Sequence, residues 1–96
     1  MDACIDKFID HIRVERGLSR NTVEAYGNDL KRFYDFLIEN NITDPALVTD
    51  ETARAFLDYL EVSGMSVRSR VRYASSIRSF FNFLMREGVV AANPLE

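Results

Sequence analysis

The last third of the chain has the hydrophobic spacing of a long amphipathic helix. Between Ser66 and Arg86, apolar side chains recur at steps of three and four residues, which is the period of one face of an α-helix. Tyr73 and Phe80 widen this apolar arc to about half of the helix circumference. The pattern predicts a central helix against which several other elements pack. Its predicted core-facing residues are Val67, Val71, Ala74, Ile77, Phe81 and Leu84.

The opposite side of the same segment is basic and polar. No Asp or Glu occurs between Glu61 and Glu87. We expect this side to stay free, so that a polyanion can approach it. Phe83 projects from the same side, and we expect it either to pack on the first helix or to be covered by another part of the full protein. The other residues of this side are Arg68, Arg72, Ser75, Ser79, Asn82 and Arg86.

Two helices are predicted before residue 40. Asp2 can cap the first, which should end near Arg16 with Gly17 as its stop. Ser19 can cap the second. Gly27 lies inside that second helix at a cost in helix propensity, which suggests a close crossing with a neighbouring helix. The predicted core residues are Ile5, Phe8, Ile9 and Ile12 in the first helix, and Val23, Tyr26, Leu30, Phe33 and Leu37 in the second.

A third helix completes the predicted fold. Thr49 or Asp50 can cap it, and Ser63-Gly64 ends it just before Ser66 caps the central helix. No segment alternates apolar and polar residues as a strand does. The chain is therefore predicted to be all-α, an orthogonal four-helix bundle forming a single domain over residues 1–96. The core residues of the third helix are Ala53, Phe56, Leu57 and Leu60, and the stretch Ala91–Pro94 is expected to be a turn or the start of a linker.

Composition narrows the possible functions. Ninety-six residues, 47% of them hydrophobic, suit one compact domain with a modest core. No apolar run is long enough to span a membrane and no secretion leader is evident, so we expect a cytoplasmic location. The single cysteine, Cys4, cannot form an internal disulfide. Because the chain also has only one histidine, His11, these residues suggest no metal site. We expect no catalytic residue set and no cofactor, because the chain has no phosphate loop, no nucleophile motif and no metal-ligand spacing.

Charge is unevenly distributed along the chain, although the net charge is only −3. Residues 33–65 contain seven carboxylates and one arginine, whereas residues 66–96 contain five arginines and two carboxylates. The basic face of the central helix suits phosphate groups, and so does the start of the second helix, from Ser19 to Thr22, with its free backbone N–H groups. Each feature also has an ordinary interpretation, as a solvated helix face or a helix cap. A helical protein–protein interaction module, pairing the acidic third helix with the basic fourth, is the alternative function.

Two stretches together resemble a known family. Residues 17–26, with the sequence GLSRNTVEAY, are followed by Asp29-Leu30 and Phe33. The second stretch begins at Ser66 and continues through Ile77-Arg78-Ser79-Phe80-Phe81-Asn82-Phe83-Leu84 to Gly88-Val89 and Asn93-Pro94. Together they are similar to the N-terminal core-binding domain of tyrosine site-specific recombinases of the XerC/XerD integrase type. The similarity covers nearly the whole chain, although residues 41–62 match only in pattern.

The resemblance implies a four-helix, SAM-like domain that clamps one face of duplex DNA, with other recombinase protomers as further partners. In that family a separate C-terminal domain supplies the nucleophilic tyrosine. We therefore expect this chain to be an excised, non-catalytic domain, whose Leu95-Glu96 end is either native or a cloning remnant. Arg78 is expected to form either a structural ion pair or a DNA contact, and Arg72→Ala is expected to weaken DNA binding without unfolding. The implied DNA-contact residues are Arg20, Asn21, Thr22, Arg68, Arg72, Ser75 and Ser79.

Overall fold

The computed structural model describes all residues from Met1 to Glu96 and is entirely helical. Its helices are α1 (Asp2–Val14), α2 (Arg20–Glu39), α3 (Asp50–Val62) and α4 (Val67–Arg86), with a short 3-10 turn at Pro45–Leu47. The prediction of an all-α, four-helix domain is confirmed. None of the helices is both long and apolar enough to cross a membrane.

Short polar side chains begin three of the four helices. The hydroxyls of Ser19, Thr49 and Ser66 accept hydrogen bonds from backbone N–H groups three residues ahead, at 3.1–3.2 Å. Each bond satisfies one of the N–H groups that a helix start leaves without a partner. The exception is α1, whose cap is Met1, so the predicted cap Asp2 is instead the first helical residue. Asp2 is still well placed there, because a carboxylate near a helix start complements the helix dipole.

Helix α4 is the centre of the fold, as predicted, and packs against α1, α2 and α3. Five phenylalanines lie completely or almost completely buried around it, and several are in edge-on contact, including the Phe8–Phe80 and Phe33–Phe56 pairs. Phe83 packs on α1 against Phe8 and His11, which settles where this side chain lies. These five fully buried rings are Phe8, Phe33, Phe56, Phe80 and Phe81.

The first two turns of α4 differ from the prediction. Val67 and Val71 are 66% and 60% exposed, although their spacing placed them on the core face. The reason is geometric: the steps from Val71 to Ala74 and from Ala74 to Ile77 are both three residues, and each rotates the stripe backwards by about 60°. Val71 therefore lies roughly 140° around the helix from Leu84. Spacing by threes and fours permits this drift, and only packing shows where the buried arc is centred.

Gly27 faces α1 where α1 and α2 pack together. A Cβ atom added there would lie 3.6 Å from Cδ1 of Ile9 on α1. This is ordinary van der Waals contact without overlap, so an alanine would still fit, and the packing of α1 on α2 does not require the glycine from which a close crossing was predicted. Asn93 shows a second close contact, since its side-chain amide donates to the carbonyl of Arg78 and to Oδ1 of Asn82, both at 2.9 Å. The last residues thus fold back onto α4 instead of leaving it.

Candidate nucleic-acid interface

A buried ion pair joins the middle of α2 to α4. The carboxylate of Asp29 is completely buried. The Arg72 guanidinium donates to both of its oxygens, from Nε to Oδ2 at 3.0 Å and from Nη2 to Oδ1 at 2.7 Å. The hydroxyl of Ser76 donates to Oδ2 at 2.8 Å. We call these three residues the α2–α4 clip, and they leave no buried side-chain polar atom without a partner.

The clip changes the expected role of Arg72. This residue is not free, because its side chain, which is 49% exposed, is held by Asp29 and lies over the ring of Tyr73 at 5.3 Å. The hydrogen bonds to Asp29 raise the pKa of the guanidinium. Removing Arg72 would leave a buried carboxylate with only Ser76 as a donor, so Arg72→Ala is expected to destabilise the domain as well as to weaken DNA binding. Of the three guanidinium nitrogens, Nη1 alone has no protein partner.

The remaining predicted residues of α4 lie on its accessible side. Arg68 is exposed and forms no ion pair or side-chain hydrogen bond. Ser75 and Ser79 are half-buried, and their hydroxyls have no partner in the protein. Arg86 approaches His11 on α1, with 3.3 Å between Nη2 and Nε2. Arg68, Ser75 and Ser79 therefore keep their donors available, as the helical pattern predicted.

The start of α2 presents a second set of donors. Ser19 uses its hydroxyl oxygen to cap the backbone N–H of Thr22, and donates its hydrogen to Oγ1 of Thr22 at 2.9 Å. The backbone N–H groups of Arg20 and Asn21 have no acceptor within the protein. The Arg20 side chain is 91% exposed and lies 3.3 Å from Glu24. An anion at this position would meet two free N–H groups and the positive end of the helix dipole.

One residue of the α4 set, Ser79, lies close to the loop that precedes α2. Helices α2 and α4 pack directly against each other. Arg16, three residues before the Ser19 cap, lines a shallow cleft together with Ser79 and Arg86. This cleft has a volume of about 560 Å³, and Asn82 and Met85 complete its wall. The structure thus connects the loop before α2 with the polar side of α4.

Arg78 helps to fix the end of the chain. Its Nε donates to the carbonyl of Leu95 at 3.1 Å, and its own carbonyl accepts from Asn93. The side chain is exposed and forms no ion pair, and Nη1 and Nη2 have no partner in the protein, so the DNA contact stays a prediction.

Sequence reasoning missed three polar residues that the structure buries, namely Asp29, Ser76 and Asn93. For Asp29 a signal was present, because it lies three residues after Tyr26 and four before Phe33, on the apolar stripe of α2. A carboxylate at such a position needs a buried partner. Nothing in the pattern marked Ser76 or Asn93, because a small hydroxyl is compatible with either face of a helix and Asn-Pro is also typical of a turn.

The sequence of this four-helix domain matches a known protein family. Residues 5–88 match the family described as phage integrase, N-terminal SAM-like domain. Because this match covers most of the chain, the protein belongs to that family. The resemblance noted from the sequence and the SAM-like fold class are thereby confirmed.

The similar proteins are tyrosine recombinases named XerD. The chain is 36% identical over 96 residues to the one from Listeria monocytogenes serotype 4b (strain F2365), covering 99% of this chain and 32% of that protein. It is 36% identical over 94 residues to that of Staphylococcus epidermidis (strain ATCC 12228), and 35% identical over 94 residues to that of Staphylococcus aureus (strain N315). Each of these two alignments covers 98% of this chain and 32% of the relative. The chain thus spans about a third of the length of these recombinases.

Proposed function

We propose that this domain binds duplex DNA for a tyrosine recombinase or integrase, clamping the recombination site while a separate domain performs strand cleavage. In this proposal residues 1–96 form a single core-binding module without a catalytic role, located in the cytoplasm with its DNA. Its partners are the duplex and other recombinase protomers. The observation that supports the proposal most directly is the unpaired guanidinium of Arg68 on a helix without carboxylates, two turns before the free hydroxyl of Ser75 on the same side of that helix.

The proposed contacts follow from the donors available. Arg68, Ser75 and Ser79 on α4 and Arg20, Asn21 and Thr22 at the start of α2 bind phosphates, the latter group partly through backbone N–H groups. Arg72 contributes only Nη1, because its other nitrogens bind Asp29. Its positive charge is also largely balanced by that carboxylate. Arg68 is therefore a cation of the α4 surface that no carboxylate balances, whereas Arg72 chiefly holds that surface against α2.

A salt titration tests the proposal. With about four phosphates neutralised, the logarithm of the binding constant should fall with the logarithm of the salt concentration at a slope near −4. Affinity should then drop roughly 250-fold between 50 and 200 mM salt. Fluorescence anisotropy with a labelled duplex measures this directly. Binding that ignores salt, or no binding to any duplex at low salt, would contradict the proposal.

Arg68→Ala provides the matched mutational test. Losing one phosphate contact should reduce the salt slope by about one and weaken binding to all duplexes alike. The control is Arg54→Ala, which removes an exposed, unpaired arginine from the acidic helix α3. Both variants carry the same charge change, so an equal effect of the two on DNA affinity would show that net charge alone decides binding and that the α4 surface does not.

The protein–protein interaction module is the second candidate function. It is favoured by exposed apolar side chains within the acidic segment, residues 33–65. Leu47, Tyr59 and Val62 are 63%, 48% and 88% exposed. Sedimentation equilibrium without DNA tests it. Self-association that salt abolishes would support pairing of acidic and basic surfaces, whereas a monomer at all concentrations would count against it.

A further inference from the structure

Two exposed valines lie along one edge of the proposed DNA-binding surface of α4. Val67 and Val71 are one turn apart on α4, and neither contributes to the buried core. With 100° of rotation per residue, Val67, Val71 and Ser75 occupy an arc about 80° wide on the side of α4 that faces away from the core. Arg68 lies at the edge of the same arc. The valines therefore form an apolar strip directly beside the donors assigned to phosphate.

The charges around the strip favour a polyanionic occupant. Arg68 is unpaired, and α4 contains no Asp or Glu along its whole length. The α3 carboxylate Glu61 is neutralised by Arg70, which it binds at 2.9 Å; Arg70 lies about 60° around α4 from Val67. An apolar strip bordered by free arginine and serine is complementary to a surface that offers both negative groups and small apolar groups. The major groove of duplex DNA is such a surface, since an α-helix fits into it and each thymine exposes a C5-methyl group there.

We propose that Val67 and Val71 read thymine methyl groups in the major groove, so that α4 contributes sequence preference as well as phosphate affinity. This inference rests on the proposed DNA-binding function and extends it. Arg68 and Ser75 would hold the helix in register on the backbone, whereas the valines have no polar atom with which to bind a phosphate. Their only favourable contact in the groove is apolar, and thymine is the base that provides it.

The test replaces thymine by uracil, which removes only the C5-methyl group and leaves the hydrogen-bonding edge and the charge unchanged. A preferred duplex is first selected from a random-sequence library at low salt, and each thymine is then replaced in turn. With the wild-type domain, at least one replacement should weaken binding by about fourfold, which corresponds to one buried methyl group. Each such thymine should be read by one of the two valines. The variant that lacks this valine, Val71→Ala or Val67→Ala, should bind the thymine and uracil duplexes equally well.

The variants are chosen so that folding does not obscure the result. Both valines are exposed and alanine has the higher helix propensity, so the variants should fold at least as well as the wild type. Val62→Ala is the matched control, because it removes an exposed valine from the end of α3 and should keep the thymine preference.

Four results would overturn the inference. One is a selected duplex in which no replacement of thymine by uracil weakens binding. Another is a thymine preference that survives the double variant Val67→Ala/Val71→Ala. Loss of the preference in Val62→Ala would be equally damaging. So would self-association of the DNA-free domain that the double variant abolishes, since the strip would then belong to a protein interface. In each case salt-dependent binding to duplex can persist, whereas absence of all duplex binding would refute the proposed function itself.

Discussion

Removing Asp29 and removing Arg72, the two charged residues of the α2–α4 clip, should lower the free energy of unfolding by very different amounts. Asp29 is fully buried, whereas half of the Arg72 side chain is exposed. Arg72→Ala would leave a carboxylate in the interior with Ser76 as its only donor, which should cost about 3–5 kcal/mol. Asp29→Ala leaves a guanidinium that can turn towards water, so the loss should be limited to the hydrogen bonds, about 1–3 kcal/mol.

These magnitudes are large for a domain of this size. At 0.05–0.15 kcal/mol per residue, a chain of 96 residues has a free energy of unfolding of roughly 5–14 kcal/mol. Arg72→Ala should therefore remove a third or more of a mid-range value. The double variant Asp29→Ala/Arg72→Ala should be more stable than Arg72→Ala alone, because it contains no uncompensated buried charge.

Urea unfolding followed by far-ultraviolet circular dichroism measures all four proteins of this cycle. The control is Arg68→Ala, one turn away and unpaired, which should change the unfolding free energy by no more than about 0.5 kcal/mol. Hydrogen bonding to Asp29 raises the pKa of Arg72, so the stability that the charged guanidinium contributes is complete below the ordinary arginine pKa and is lost only in strong alkali, as the pH rises through the raised pKa. The effect of Arg72→Ala should thus be equal at pH 7 and pH 9. The reasoning would be refuted if Asp29→Ala were as destabilising as Arg72→Ala, or if the two effects simply added.

Two further predictions concern the contact between α1 and α2 at Gly27 and the attachment of the chain end by Asn93. Gly27→Ala should be neutral or should stabilise the domain by up to about 1 kcal/mol, because the added methyl group meets Ile9 at ordinary contact distance and alanine favours the helix; a clear decrease in melting temperature would disprove this. Asn93→Ala should lower the unfolding free energy by about 1–3 kcal/mol, since it removes the amide that binds the carbonyl of Arg78. Hydrogen exchange should then increase at Leu95, whose N–H donates to Oδ1 of Asn93; unchanged protection at Leu95 would show that the chain end is held by other contacts.

Local chemistry was enough to predict the helices of this protein. Ser19, Thr49 and Ser66 are caps in the structure as they were in the sequence, because capping depends only on neighbouring residues. The same holds for Gly88, which follows the C-cap of α4 with a φ of +74° that suits glycine. Helix α1 ends at Val14, two residues before the predicted end near Arg16, and Gly17, at φ +60°, lies in the loop beyond it. Motif similarity added the family, and with it the expectation of DNA as a partner.

The site required tertiary structure, because its character depends on contacts between residues distant in sequence. Forty-three positions separate Asp29 from Arg72, and no helical period links them. Only the packing of α2 on α4 turns Arg72, a predicted free arginine, into the partner of a buried carboxylate, while Arg68 stays unpaired. Packing likewise exposed Val67 and Val71, since a helix wheel gives the relative angles of side chains but not the direction from which the neighbouring helices approach. The sequence by itself therefore determined, to within one or two residues, where the helices begin and end, and which family the chain resembles. Only the tertiary fold decided which polar groups are paired inside the protein and which remain for a partner.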